Sequence, residues 1–550
     1  MTTAAIAVPR RAASSERSYA NWPLAAAFVF RRNWVRMLVW LIILAGLIAV
    51  VIVSQRQAFP TQADRDAYAQ IANTPAVAAL TGLPYAAGSL GGILNIKIWM
   101  TDAVALAFAV TFLVTRNGRA EEETGRTELL RAGVLGRHAY SLANWIVVGA
   151  FTVLTGLACA GAAVAEGLPG YGALVMGASL TGVGLASLGI AALVGQLAQT
   201  SRGANGLASG LLGIFYLVRA GGDLSAKGEV SGGLSWASPL GWGQAMRSFG
   251  SNNWWPMLLL VGLGVVTCAI ALRLEATRDL GAGLLPDRPG PRRASALTRT
   301  AFGLTLRLQR GSIIGWAAGV LVGGLFFGKV AVAMSTLLSG HTTSGITSAL
   351  IGVSHDVLSG LMGYFTMANA LLVAAFVLQS ALVIHTEEAQ GALELQWTGV
   401  LSRLRWAASR LAVPAVVSAL MLGMAGFAEG ATYGASVDKA GESLHYFLAT
   451  LAYWPTMLLF IGLVVACAAI IPRASSPAVW AIYGVCVLVS MFGDLFRLPK
   501  KFVNNTPFTA IEQLSTGAFN AVPIFVITAI AIVLAVAGLL RLRARDVVTG

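Results

Sequence analysis

Few residues of this chain are of types that carry out chemistry, and their spacing argues against most reactions. The stretch GGLFFGKV at 323–330 approaches the phosphate loop G-x-x-x-x-G-K-[ST]. Val330 stands where a hydroxyl should hold magnesium, and the stretch lies in an apolar run with no strand before it. Gly315, Gly319 and Gly323, four apart, instead predict a smooth helix face for close packing, and Gly206 and Gly210 predict another. The histidines His138, His341, His355, His385 and His445 are scattered, and His355-Asp356 is an isolated pair. Cys159, Cys268, Cys467 and Cys486 fall inside apolar runs without metal-ligand spacing, so they read as small buried hydrophobes. HExxH and GxSxG are both absent. Asp102, Lys329, Glu429 and Asp494 are expected near the outer ends of membrane spans, so no acid is expected at mid-depth. Asp102 and its counterpart Asn369 either face a shared cavity or are wetted by outer headgroups. The sequence therefore reads as a non-enzyme with no metal and no cofactor of its own.

One hydrophilic segment stands out. EEETGRTELLRAGVLGR, Glu121 to Arg137, returns 266 residues later as EEAQGALELQWTGVLSR, Glu387 to Arg403, with nine of 17 positions identical. Average residue usage gives about one match by chance. In both copies glycines bracket a short helix: Gly125 and Gly133 around RTELLRA, Gly391 and Gly399 around ALELQWT. A solvated loop is the usual fate of a charge run. Here the copy survives while its surroundings diverge, and Leu129, Leu395 and Trp397 would be wasted in water. Mixed apolar and charged patches are commonly contact sites, so the segment reads as a docking element for a soluble partner.

The elements that must position these segments are membrane helices. Only 11% of residues are charged and 56% are hydrophobic, whereas a soluble chain carries roughly 25% charged residues. The apolar residues form twelve runs, near 37–54, 99–115, 141–165, 172–197, 203–219, 254–274, 313–335, 361–384, 408–430, 448–471, 477–496 and 522–541. The 36 residues before the first run hold no small-residue cleavage site, so that run reads as a retained helix. With the N-terminus inside, cytoplasmic segments hold 27 of the 38 basic residues, all Arg, while the outer side holds 11, including every Lys. That asymmetry explains the net charge of +14 by topology rather than nucleic acid, and it places both termini in the cytosol.

The chain reads as one unit written twice. Arg31 and Trp40 recur as Arg307 and Trp316, and Met100 and Asp102 align with Met367 and Asn369. GGDL at 221–224 matches FGDL at 492–495. The expected fold class is an all-α polytopic membrane protein of twelve transmembrane helices in two parallel six-helix repeats. The repeats are 1–279 and 297–550, joined by the Pro/Gly/Arg linker 280–296. Leu297, Ala301, Leu304 and Leu308 face opposite Arg299, Arg307 and Arg310, which predicts an interfacial amphipathic helix over 297–310. A rougher version occupies about 17–33.

E-x-x-x-G-x-x-E-L after the second span is similar to the segment found in permeases of type-2 ATP-binding-cassette (ABC) exporters. The double-length, twelve-span form resembles the antibiotic and multidrug export permeases of the tetronasin-exporter type. SWASPLGW at 235–242 and NNTPFTAI at 504–511 resemble their re-entrant stretches. The resemblance covers essentially the whole chain. It departs at Arg126 and Ala392, where the family often has Thr, and the second copy lacks the third Glu. It implies that 116–138 and 385–405 are coupling segments on which two copies of a soluble ATPase dock, with ATP and magnesium bound in that partner. The coupling residues are then Glu121, Glu122, Gly125, Glu128, Leu129, Arg137, Glu387, Glu388, Gly391, Glu394, Leu395 and Arg403. It further implies a path between the halves for a small amphiphilic substrate. Its candidate walls are Met100, Asp102, Phe108, Phe112, Phe215, Phe365, Met367, Asn369, Phe376 and Tyr483. The expected function is the membrane subunit of an ATP-driven exporter of amphiphilic drugs, antibiotics or lipids, multi-pass in the plasma (inner) membrane. An ion-coupled secondary multidrug antiporter is the alternative: RNGRAEEETGR resembles the carriers' Gly-Asp-Arg-Gly-Arg pattern after span two but lacks the Asp. A membrane enzyme acting on lipid would need a cluster of acids, histidines or metal ligands at one depth, and the sequence shows none.

Overall fold

The computed structural model describes residues 18–73, 78, 81–132, 135–225, 232–279, 281–284, 293, 295–338, 357–389, 402–493, 498–512 and 521–544. Every regular element among them is helical. Among the described residues twelve helices are long and apolar enough to cross a bilayer. The chain divides into two compact units, Met1–Pro289 and Gly290–Gly550, with six of these helices in each.

In unit 1 the elements are α1 (Trp22–Ala58), α2 (Gln62–Ala72), α3 (Leu90–Leu94), α4 (Met100–Asn117), α5 (Arg119–Glu123), α6 (Arg126–Ala132), α7 (Ala139–Ala165), α8 (Gly170–Leu197), α9 (Ser201–Leu224), α10 (Pro239–Gln244) and α11 (Trp255–Thr277). A π-helical turn, Asn95–Trp99, joins α3 to α4, so one span runs from Leu90 to Glu123. The centre of the unit is α4 and α8, both largely buried, with α1, α9 and α11 outside them. Close approach rather than bulk sets the α7–α8 contact. A Cβ built on Gly156 would lie 2.4 Å from the carbonyl oxygen of Gly177, so any larger residue forces the helices apart. Buried amides add direction: Asn33 Nδ2 donates to Asn117 Oδ1 at 2.9 Å, and Asn117 Nδ2 donates to Asn144 Oδ1 at 3.1 Å. This chain ties α1, α4 and α7 together at one level.

In unit 2 the elements are α12 (Ala301–Leu338), α13 (Val357–Ala381), α14 (Val383–Ala389), α15 (Arg403–Val437), α16 (Glu442–Leu451), α17 (Trp454–Ile470), α18 (Ser475–Phe492), α19 (Lys500–Val503), α20 (Thr509–Glu512) and α21 (Val522–Ala544). Here α13, α15 and α17 form the centre. The glycine seam is displaced from its expected place. Nothing lies within 4 Å of a Cβ on Gly315 or Gly319, nor on Gly206 or Gly210. The close approach of α12 to α15 is made by Gly324 and Gly328, where a Cβ would meet the carbonyl oxygens of Ala425 at 2.5 Å and Glu429 at 2.3 Å. Of the expected row a Cβ on Gly323 would meet a neighbour, Asn369 Oδ1 at 3.2 Å, while the close approach falls on the adjacent face.

The two interfacial helices are not separate pieces. The expected 17–33 helix continues without a break into the first span as the 37-residue α1. The 297–310 helix begins as a 3-10 turn at Leu297–Arg299 and then runs into the 38-residue α12. No proline lies between Arg31 and Met37 or between Arg307 and Ile313 to stop helix propagation. At about 1.5 Å per residue each helix is roughly 55 Å long, well past a hydrocarbon layer of about 30 Å. SWASPLGW folds back on α9 as a 3-10 turn (Gly233–Ala237) followed by α10, with Ser238 Oγ donating to the Phe215 carbonyl at 2.8 Å.

Candidate functional site: the acidic turns and the buried carboxyls

The segment 121–137 leaves α4 as two short helices, α5 and α6, separated by Gly125 at φ 72°. That left-handed conformation is one a side chain disfavours, which accounts for the glycine. Three consecutive acids then turn to three different elements. Glu121, 3% exposed, meets Arg32 of α1, with Nη2 to Oε1 at 2.6 Å. Glu122 is bridged by Arg119 Nη1 at 2.8 Å and by Arg278 Nη2, just past α11, at 2.6 Å. Glu123 accepts from the backbone N–H of Ser201 at 2.7 Å and its hydroxyl at 2.6 Å, capping the start of α9.

The arginines extend these bonds. Arg119 donates to the carbonyls of Gln199 (2.7 Å), Gly281 (2.8 Å) and Ala282 (3.0 Å). Arg278 Nε reaches Gln196 Oε1 at 2.6 Å. Arg137, at the end of the segment, donates to the Ala276 carbonyl at 2.7 Å and so closes the last turn of α11. His138 Nδ1 lies 3.2 Å from Glu275 Oε2. Glu128 and Leu129 point the other way: Glu128 is exposed and Leu129 is 77% exposed.

The candidate coupling residues of unit 1 therefore sort into three roles. Glu121, Glu122 and Arg137 grip the spans, Gly125 makes the turn, and Glu128 with Leu129 faces outward. In unit 2, Glu387 on α14 accepts from Arg410 Nε (2.9 Å) and Trp406 Nε1 (2.9 Å) of α15, and Arg410 Nη1 reaches Thr305 of α12 at 2.5 Å. Glu388 is buried and Arg403 opens α15. Gly391, Glu394 and Leu395 lie outside the described residues, as do His355, Asp356 and Asp494. The anchors in the two units differ in partner. Glu121 holds the first span directly, whereas Glu387 holds the third span, whose Arg410 then reaches the first.

Each candidate wall residue is described within its own unit. Met100, Met367 and Phe376 are core residues of their own units. Tyr483 donates its hydroxyl to the Leu371 carbonyl at 2.8 Å. Phe365 stacks on Phe327 with ring centroids 4.8 Å apart. Phe108 and Phe112 stack at 5.8 Å, and Phe112 is exposed. Phe215, with Thr111, Ser187, Ala208 and Leu240, lines a narrow cavity between α4, α8, α9 and α10.

Two acids that the sequence reading places near the outer ends of spans are covered by protein. Asp102, 1% exposed, sits inside unit 1 near Cys159 of α7, and neither carboxyl oxygen has a hydrogen-bond partner among the described residues. Glu429, fully buried on α15, accepts from Thr366 Oγ1 at 3.1 Å and Asn369 Nδ2 at 2.9 Å of α13. At the offset of 267 that aligns Asp102 with Asn369, Glu429 corresponds to Ala162. Each unit thus buries one carboxyl among its second and third spans, but on opposite helices. The exchange is legible in the aligned halves only once the buried faces are known. A second buried cluster joins Arg219 and Asp223 of α9 at 3.1 Å, with Ser235 Oγ donating to Asp223 at 2.7 Å. It pins the 3-10 turn of SWASPLGW against α9. Among the described residues no group of histidines, cysteines and acids has metal-binding geometry.

Two comparisons place this arrangement in a family. Residues 298–543 match the family model described as the C-terminal domain of multidrug efflux system permease Rv1217c. Over 521 residues the chain is 32% identical to multidrug efflux system permease protein Rv1217c of Mycobacterium tuberculosis (strain ATCC 25618 / H37Rv), covering 94% of this chain and 93% of that protein. The match spans both six-helix units rather than one of them. The chain belongs to the Rv1217c family of multidrug efflux system permeases, which are permeases of the ABC exporter type.

Proposed function

We propose that this chain is the membrane-spanning subunit of an ATP-driven exporter of amphiphilic drugs, antibiotics or lipids. A separate ABC ATPase, two copies per chain, binds ATP and magnesium and docks on the two acidic turns. The carrying observation is the division of labour in 121–137. One face is bolted to α1, α9 and α11 through Glu121, Glu123 and Glu122, while Glu128 and Leu129 project outward. A push on the projecting face would reach three spans through short charge-assisted bonds. The turns and both termini then lie on the cytoplasmic side of the plasma membrane, as the arginine bias favours. Gentle purification from the native membrane tests the reading: a soluble ATPase is expected to accompany the chain at two per chain. Glu128→Ala with Glu394→Ala is expected to abolish that association and drug efflux while insertion persists. Unchanged efflux in the double variant refutes the assignment.

The buried Asp102 and Glu429 favour a second reading, an ion-coupled antiporter, because an intramembrane acid is costly and generally kept for function. Efflux driven by a proton gradient in nucleotide-free vesicles holding only this chain would select it over the first.

A further inference from the structure

Unit 1 carries positive charge that the acidic turn leaves unneutralised. Arg32 and Arg36 lie one turn apart on α1, and Arg116 lies in the last turn of α4. The buried Asn33–Asn117 bond sets the two helices level here, which brings Arg36, one turn from Asn33, and Arg116, next to Asn117, near enough that the charges of Arg36 and Arg32 both act on Arg116. Arg32 is paired with Glu121 at 2.6 Å. Arg36 and Arg116 are exposed and have neither an ion pair nor a hydrogen bond among the described residues. Glu121, the one acid whose charge acts on Arg116, is already shared by Arg32 and Arg126, so the cluster keeps a net positive charge.

Position along the helices tells which anion is at hand. Arg36 directly precedes the apolar run 37–54 and Arg116 directly follows the run 99–115. Both guanidinium groups therefore lie where hydrocarbon gives way to headgroups, at the end of the unit that bears the acidic turn. Val39 and Ile43, beyond Arg36, and Phe112, one turn from Arg116, are exposed on the apolar side of the same faces. Trp34 is exposed at headgroup level.

An inside-positive bias, or the pull of a helix C-terminus on a cation, would explain one arginine at each place. Neither explains why the site exists once. At the registers of the repeat, Arg32, Arg36 and Arg116 correspond to Leu308, Ser312 and Leu382. We propose that Arg36 and Arg116 form a binding site for the phosphate of a membrane phospholipid, whose acyl chains lie against Phe112, Val39 and Ile43. Planar guanidinium forks match phosphate oxygens in pairs, and the half-desolvated boundary strengthens the contact. The site belongs to unit 1 alone and does not rest on the ATPase reading.

Native mass spectrometry of the full-length purified chain tests this, counting adducts after addition of phosphatidylglycerol or of diacylglycerol with the same chains. Arg36→Ala with Arg116→Ala is expected to cut phosphatidylglycerol adducts about tenfold, the loss of at least one charge-assisted bond. Diacylglycerol adducts should stay unchanged, and the paired Lys variants should recover part of the binding. Arg31→Ala, which removes an exposed charge from another face of α1, should keep it. Full phosphatidylglycerol binding in the double Ala variant, equal loss with Arg31→Ala, or equal loss of diacylglycerol would overturn the proposal. Displacement of the lipid by millimolar inorganic phosphate would show a site for free anions and would overturn the lipid assignment.

Discussion

Glu122→Gln separates the gripping face of the acidic turn from its exposed face. The substitution keeps size and shape but removes the charge that Arg119 and Arg278 share, both of them buried. Breaking one side of a buried ion pair costs about 3–5 kcal/mol. Arg119 keeps its carbonyl partners on Gln199, Gly281 and Ala282, and Arg278 keeps Gln196, so the low end of that range applies, about 3 kcal/mol. The loss falls on the attachment of α5 to α11 and the 281–282 loop, not on the apolar core. At about 1.4 kcal/mol per decade, local opening of the turn should become roughly 100-fold more populated. Hydrogen exchange of peptides covering 116–132, read by mass spectrometry in detergent or nanodiscs, reports that opening directly. Exchange in α5 and α6 should accelerate by about two decades while α8 stays protected. Leu129→Ala, on the exposed face, should leave exchange in α5 unchanged and weaken only the docking of a partner. If Glu122→Gln leaves α5 exchange unchanged, the turn is not held by this bridge and the mechanical argument fails.

Gly328→Leu should destabilise unit 2 by about 1–3 kcal/mol, because a Cβ there meets the Glu429 carbonyl oxygen at 2.3 Å. Gly315→Leu should be neutral, since nothing lies within 4 Å. Thermal unfolding followed by size-exclusion chromatography distinguishes the two, and equal effects would mean that the seam has been placed on the wrong face. Asp102→Asn removes no hydrogen bond and relieves a buried acid, so Tm should hold or rise. Glu429→Leu strips the partners from Thr366 and Asn369 and should cost about 1–3 kcal/mol. A fall in Tm with Asp102→Asn would mean that Asp102 makes an essential contact.

The number and rough limits of the spans, their division into two sets of six, and the repeated acidic segment are properties of the linear chain. Hydropathy adds up locally, and a bilayer demands about 20 apolar residues wherever the helix lies. The glycine before the outward helix was legible for the same reason, since a turn is a local event. The partners of the acids were not. Glu121 finds Arg32, Glu123 finds Ser201 and Glu122 finds Arg278, across 89, 78 and 156 residues. No periodicity in the sequence relates those positions. The face on which α12 meets α15, and the burial of Asp102 and Glu429, were equally hidden. Both depend on how each helix is rotated about its own axis. That rotation is chosen by packing against neighbours, through Gly324 and Gly328 or the Asn33–Asn117–Asn144 chain. A helix that is apolar nearly all round carries almost no amphipathic signal to announce which side faces protein, so only the assembled unit decides it.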